Sequence, residues 1–212
     1  MRLFATIVLG ALLMAGCDSV QDPVAALGHD AETQAERAMA AERSESAVYR
    51  FADMSAVPGA VSTLVRNDAG ISMTLRTSEL EPGHTYTIWW VLFNDPDACL
   101  GDGMCGEPDL FNPAAQPGVH YAAGNVVGGS GRGSFGGALR VGDASGAILG
   151  GPLTAPLAAE VHLIVRSHGP AVPGIIPEQI HTFGGGCDGE SGGPPGAEGF
   201  ACFDPQFSVH VP

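Results

Sequence analysis

The stretch TYTIWWVLFN, residues 85–94, constrains the fold more than any other. As an extended strand it places Tyr86, Ile88, Trp90 and Leu92 on one face and Trp89, Val91 and Phe93 on the other. Both faces are apolar and rich in aromatic and β-branched side chains, which marks a strand rather than a loop. Such a strand has to be central in its sheet and covered on both sides. The tetrapeptide EPGH, residues 81–84, precedes it with the proline and glycine of a tight reversal.

The neighbouring segments supply the partners. AVYRFADM (47–54) and AVSTLVRND (60–68) read as strands, and GISMTLRTSEL (70–80) alternates Ile71, Met73 and Leu75 against Ser72, Thr74 and Arg76. VHYAAGNVV (119–127) and SFGGALRV (134–141) flank GGSGRG and predict a hairpin with a glycine turn. AEVHLIVRSH (159–168) is a strong strand, PEQIHTF (177–183) a short one, and QFSVHV (206–211) closes the series. Short strands with Gly/Pro turns and no convincing helix predict an all-β fold. The expected architecture is an antiparallel β-sandwich with Greek-key or meander connections, the alternative a closed β-barrel.

The N-terminus carries a different signal. Arg2 precedes an uncharged, mostly apolar run, Leu3 to Gly16, that is too short to span a bilayer, which needs about 20 residues of helix. The run ends Leu13-Met14-Ala15-Gly16-Cys17. This resembles a bacterial lipobox, with Met14 where leucine is commoner. The resemblance implies cleavage after residue 16, acylation of Cys17, and attachment to a membrane through lipid. It predicts a cell-envelope location and leaves inner against outer membrane open. Residues 17–45, rich in Ala, Glu and Arg, read as a partly helical tether, and residues 46–212 as the β domain.

Charge and cysteine content narrow the classes further. The formal net charge is −14, and all nine basic residues are arginines. So acidic a chain is repelled by nucleic acid phosphates and by anionic head groups. With Cys17 acylated, Cys99, Cys105, Cys187 and Cys202 remain, an even count that predicts two disulfides in an exported protein. Three pairings are possible; the local one closes two glycine-rich loops. No CxxC spacing supports a Cys₄ zinc site.

Of the chemical motifs, GRGSFG (131–136) has dinucleotide-site spacing but is followed by a strand instead of a helix, so it reads as a turn. GESGG (189–193) matches a nucleophile elbow at Ser191, yet sits in a Gly/Pro stretch without the strand–helix setting. Imidazole suits copper or zinc, and His120, His162, His168 and His181 are the first candidate ligands. On the strand 160–168, Glu160, His162, Ile164, Arg166 and His168 share a face, opposite Val161, Leu163 and Val165. His162 and His168 lie about 20 Å apart there, too far to share one metal. The loop from Asp95 to Gly118 offers Asp95, Asp97, Asp102, Glu107 and Asp109 to calcium, without the spacing of a calcium loop. Trp89 and Trp90 point to opposite faces, so they form no joint carbohydrate platform and read as core.

The segments YTIWWVLFN, CGEPDLFNP, GRGSFGGALRVGD and VHLIVRSHGP are similar to those of uncharacterised exported bacterial β-sandwich proteins, over roughly residues 58–210. The resemblance implies the fold and assigns no site. The expected function is a lipid-anchored envelope protein whose β domain is a non-catalytic binding or structural module for a protein or small-molecule ligand. No cofactor is expected. The alternative is a histidine-ligated copper or zinc protein or metalloenzyme.

Overall fold

The computed structural model describes residues 41–101, 103–188 and 200–212. The signal, Cys17, most of the tether, Asp102 and Ser191 lie outside them. Nine strands are present among the described residues: β1 (Glu42–Arg50), β2 (Ala56–Asn67), β3 (Gly70–Thr77), β4 (His84–Phe93), β5 (Pro117–Val126), β6 (Gly133–Arg140), β7 (Ala147–Gly150), β8 (Glu160–Pro170) and β9 (Phe203–His210). They form one antiparallel sheet in the order β6-β3-β2-β1-β9-β8-β4-β5-β7, curled into a half-barrel.

The doubly apolar segment becomes β4, flanked by β8 and β5. Tyr86, Ile88, Trp90 and Leu92 enter the main core with Val161, Leu163 and Val165 of β8. Leu64, Leu75 and Phe135 complete it from β2, β3 and β6. Each such side chain contributes about 1.5–3 kcal/mol by leaving water. The indole N–H of Trp90 and Nδ1 of its cross-strand neighbour His120 are buried without a hydrogen-bond partner among the described residues. One is a donor; the other is an acceptor once His120 Nε2 donates to the Gly151 carbonyl at 2.9 Å.

Three segments differ from expectation. β5 and β6 do not form a hairpin: β6 pairs with β3, Leu75 opposite Phe135, because Phe135 and Leu139 continue the apolar face of β3. The segment expected as a short strand at 177–183 starts in a helical turn, Ile176–Gln179, with Pro177 in its first turn, where a missing N–H costs nothing. β1 begins at Glu42, four residues before the expected domain boundary. Its early residues are polar because the inward Ser44 meets a histidine: Ser44 Oγ lies 2.8 Å from His210 Nδ1.

Two buried polar groups tie the last strand into the sheet. His210 Nε2 lies 2.8 Å from Ser62 Oγ, which also pairs with Ser208 Oγ. The Arg66 guanidinium, 3% exposed, donates to the carbonyls of Pro156, Ala159, His210 and Val211. Burial lowers its pKa, though an arginine so placed stays charged.

Candidate functional site

The second face of the sheet, away from the main core, forms the floor of a groove of about 960 Å³. β4 contributes Trp89, Val91 and Phe93, β5 Val119 and Tyr121, β8 His162 and Ile164, and β9 Phe207. These side chains point outward because the side chains of a strand alternate and their neighbours fill the core. Most of the lining is apolar or aromatic, and the volume lies in the range of small-molecule sites. The rim leaves Phe51, Met54, Met104 and Ile148 well exposed.

Four segments wall the floor: the β1–β2 turn, the loop 94–116, the turn into β7 and the segment 171–188. The loop 94–116 is held at several points. Cys99 and Cys105 form a disulfide with Cα atoms 5.3 Å apart. The buried Asp109 carboxylate accepts the Leu100 and Gly106 N–H groups at 2.7 and 2.8 Å, and these bonds hold its pKa below the usual carboxylate range. The Asn112 amide donates to Ala98 O at 2.8 Å.

The opposite wall hangs on Gln179, which is fully buried. Its amide nitrogen donates to the His168 and Pro170 carbonyls, and its oxygen accepts from Val172 N–H. Gly186, at φ +84°, passes against Gln179 where a Cβ would collide with it. A second disulfide, Cys187–Cys202, joins this wall to the start of β9. The two disulfides therefore follow the local pairing, and each braces a wall of the same groove.

Four polar arrangements underlie the floor. Trp89 Nε1–H donates to Thr87 Oγ1 at 2.7 Å, the Thr87 hydroxyl donates to His168 Nε2 at 2.7 Å, and His168 Nδ1–H donates to Gly185 O at 2.8 Å. Burial, with help from the Arg166 charge, lowers the His168 pKa to about 4, so the imidazole is neutral, as this chain of donors requires. Arg166 bonds Asp204 at 3.0 Å and lies 3.8 Å over the Phe183 ring. His162 Nε2 lies 2.6 Å from Glu160 Oε1, which also accepts the Cys105 N–H at 2.9 Å. Tyr121, edge-on to Trp89, donates its hydroxyl to Ile180 O.

The four candidate histidines are dispersed. His162 lines the groove, His181 stands on its wall, His168 lies behind the floor, and His120 is buried on the other side of β5. Among the described residues, two groups of three ligand-type side chains come within 4.8 Å: His168 with Cys187 and Cys202, and Cys99, Cys105 with Asp109. In both, the sulfurs are disulfide-bonded. Of the acids suggested for calcium, Asp109 already spends its oxygens on backbone N–H groups, Asp95, Asp97 and Glu107 join no such group, and Asp102 is outside the described residues.

Sequence reasoning put Trp89 and Trp90 on opposite faces and Glu160 with His162 on one face, as found. It read Trp89 as core, and Trp89 is buried at 2% exposure, but it did not see the groove, whose walls are loops. The usable signal was spacing: polar pairs two apart on a strand, Thr87 with Trp89 and Glu160 with His162, share a face and meet. No protein-family model, curated protein or solved structure matches this chain, so the groove is interpreted on its own geometry.

Proposed function

We propose that the domain is a non-catalytic binding module that takes a small, largely apolar ligand in the groove, and that lipid on Cys17 holds it at a membrane of the cell envelope. One observation carries the binding reading. On the outer face of the sheet Val91, Tyr121 and Ile164 stay half-buried at the groove floor, between Trp89, Phe93 and Phe207 that the loops bury, and both disulfides brace the walls around them. Monomers rarely leave a contiguous apolar surface of this kind without a partner for it. We read the architecture as nearer the barrel than the sandwich. All nine strands share one sheet, and the β6 backbone at Gly137 passes so close to the Ala122 carbonyl of β5 that a Cβ would collide. Of the four histidines proposed for copper or zinc, His168 alone joins a group of three ligand-type side chains within 4.8 Å among the described residues, with Cys187 and Cys202, and that group requires the disulfide to open.

The test fills the groove from its floor. Ile164, half-buried in the middle of β8, contacts the groove and not the main core. A neutral apolar dye, N-phenyl-1-naphthylamine, is expected to bind the wild-type domain saturably, at one site per chain. Ile164→Trp is expected to weaken that binding at least tenfold, with an unchanged Tm. Non-saturable binding, or equal binding by the variant, refutes the reading. The anchor has its own test: intact mass after expression in a bacterium is expected to show a diacylated N-terminus at Cys17, abolished by Cys17→Ser.

A further inference from the structure

We infer that the groove selects neutral, ring-bearing ligands that donate one hydrogen bond, phenols and similar hydroxyl compounds, and that His162 Nδ1 accepts it. This rests on the binding reading above and adds the ligand class.

The polar end of the groove is the His162–Glu160 pair. Glu160 is 3% exposed and His162 is 8% exposed, both set among apolar side chains. The carboxylate only accepts, and its Oε1 is also fixed by the Cys105 N–H of the braced loop. The hydrogen therefore sits on His162 Nε2, and in the neutral ring Nδ1 is left as an acceptor. It has no hydrogen-bond partner among the described residues and is not among the polar atoms sealed from solvent; since His162 lines the groove, we assign Nδ1 to face it. Burying a carboxylate and an imidazole together contributes little to stability compared with an apolar pair of the same volume. An acceptor with a fixed tautomer, presented to an apolar groove, is what recognition of a donor requires.

The surroundings set the rest of the class. Phe93 meets the imidazole edge-on, with centroids 5.4 Å apart, and Val91 and Ile164 continue the floor. Flat rings fit this surface. Anions do not: the chain carries a net charge of −14, and Glu160 lies directly behind His162. A donor without charge, a phenol in place of a carboxylate, meets all three conditions.

Calorimetric titration of the oxidised, folded protein with 2-naphthol, 2-methoxynaphthalene and 2-naphthoate separates the outcomes. We expect 2-naphthol to bind about tenfold more tightly than its methyl ether, the effect of one satisfied buried hydrogen bond, and the carboxylate to bind weakest. In His162→Phe the preference for 2-naphthol over the ether is expected to vanish while ether binding persists, and in His162→Gln, which retains an acceptor, part of it is expected to return. Persistence of ether binding also shows that the variant is folded. Equal binding of alcohol and ether by the wild type, or an undiminished preference in His162→Phe, overturns this inference and leaves the groove reading standing. Binding of neither overturns both.

Discussion

Taking the domain from pH 7.5 down to pH 4 is expected to remove about 6 kcal/mol of stability, about 3 from each of two histidines. His168 and His210 both have pKa values lowered to about 4 in the folded protein. Burial is the main cause for each, and the nearby guanidinium, Arg166 or Arg66, adds to it. In the unfolded chain both titrate near the ordinary value of 6.5. Above that value both states are neutral and the stabilisation is complete. As pH falls below it, the unfolded chain takes up protons that the folded one refuses. The loss grows until the folded histidines themselves titrate near pH 4.

The carboxylates act in a lower window. Asp53, Asp109 and Asp143 have lowered folded pKa values, and the stability they supply is lost only as pH drops below the ordinary value of 3.8. Urea unfolding at pH 7.5, 6 and 5 therefore reads the histidines nearly alone. The expected fall by pH 5 is about 4 kcal/mol. His168→Gln and His210→Gln are each expected to halve that slope while lowering stability at pH 7.5. Equal stability at pH 7.5 and pH 5 would show that the two rings are not held neutral by the fold. A domain of this size has about 5–15 kcal/mol in total, so the effect decides whether it is folded in acid.

Reducing both disulfides is expected to cost about 5 kcal/mol. Chain entropy gives ~3 kcal/mol for the loop closed by Cys187–Cys202 and ~2 kcal/mol for the shorter one closed by Cys99–Cys105. The order of loss is informative. Cys105 carries the N–H that fixes Glu160, so Cys99→Ser/Cys105→Ser is expected to weaken binding at the His162 end. Cys187→Ser/Cys202→Ser frees the segment that bears Thr182 and Phe183, and is expected to widen the far end. Denaturant midpoints and dye affinity, measured with and without a dithiol reductant, check both. Unchanged dye affinity in the two double variants would mean that the walls keep their shape without the bridges.

What the chain discloses in advance follows the range of the interaction. The faces of β4 and β8 were legible because alternation is local, and the same rule put Glu160 beside His162. The partner of β6 was not. A glycine turn suggested the nearest strand, but the register of Phe135 against Leu75 depends on a segment 60 residues earlier. The turn at Ile176–Gln179 hid behind β-branched residues, and Gln179 is buried for the sake of three backbone groups no spacing rule announces. The groove escaped notice because its walls are loops, whose course is set by disulfides and by single side chains such as Asp109. The lipobox reading concerns residues outside the described structure and stands on the sequence alone.

The place of β9 has a consequence for when the chain folds. The last described strand in chain order is an interior one, seated between β1 and β8. Without residues 203–210 the strand order falls into two ribbons, β6-β3-β2-β1 and β8-β4-β5-β7, with the edges of β1 and β8 left open where β9 belongs. The closing pairs are among the most distant in sequence, Tyr49 with Phe207 and Arg50 with Gln206. Such contacts form slowly, since a long loop has to be closed before they repay its entropy. A growing chain is thus barred from closing this sheet before residues 203–210 are made. Residues 203–210 are thus the segment that joins the two ribbons into one sheet and commits the domain to its final shape.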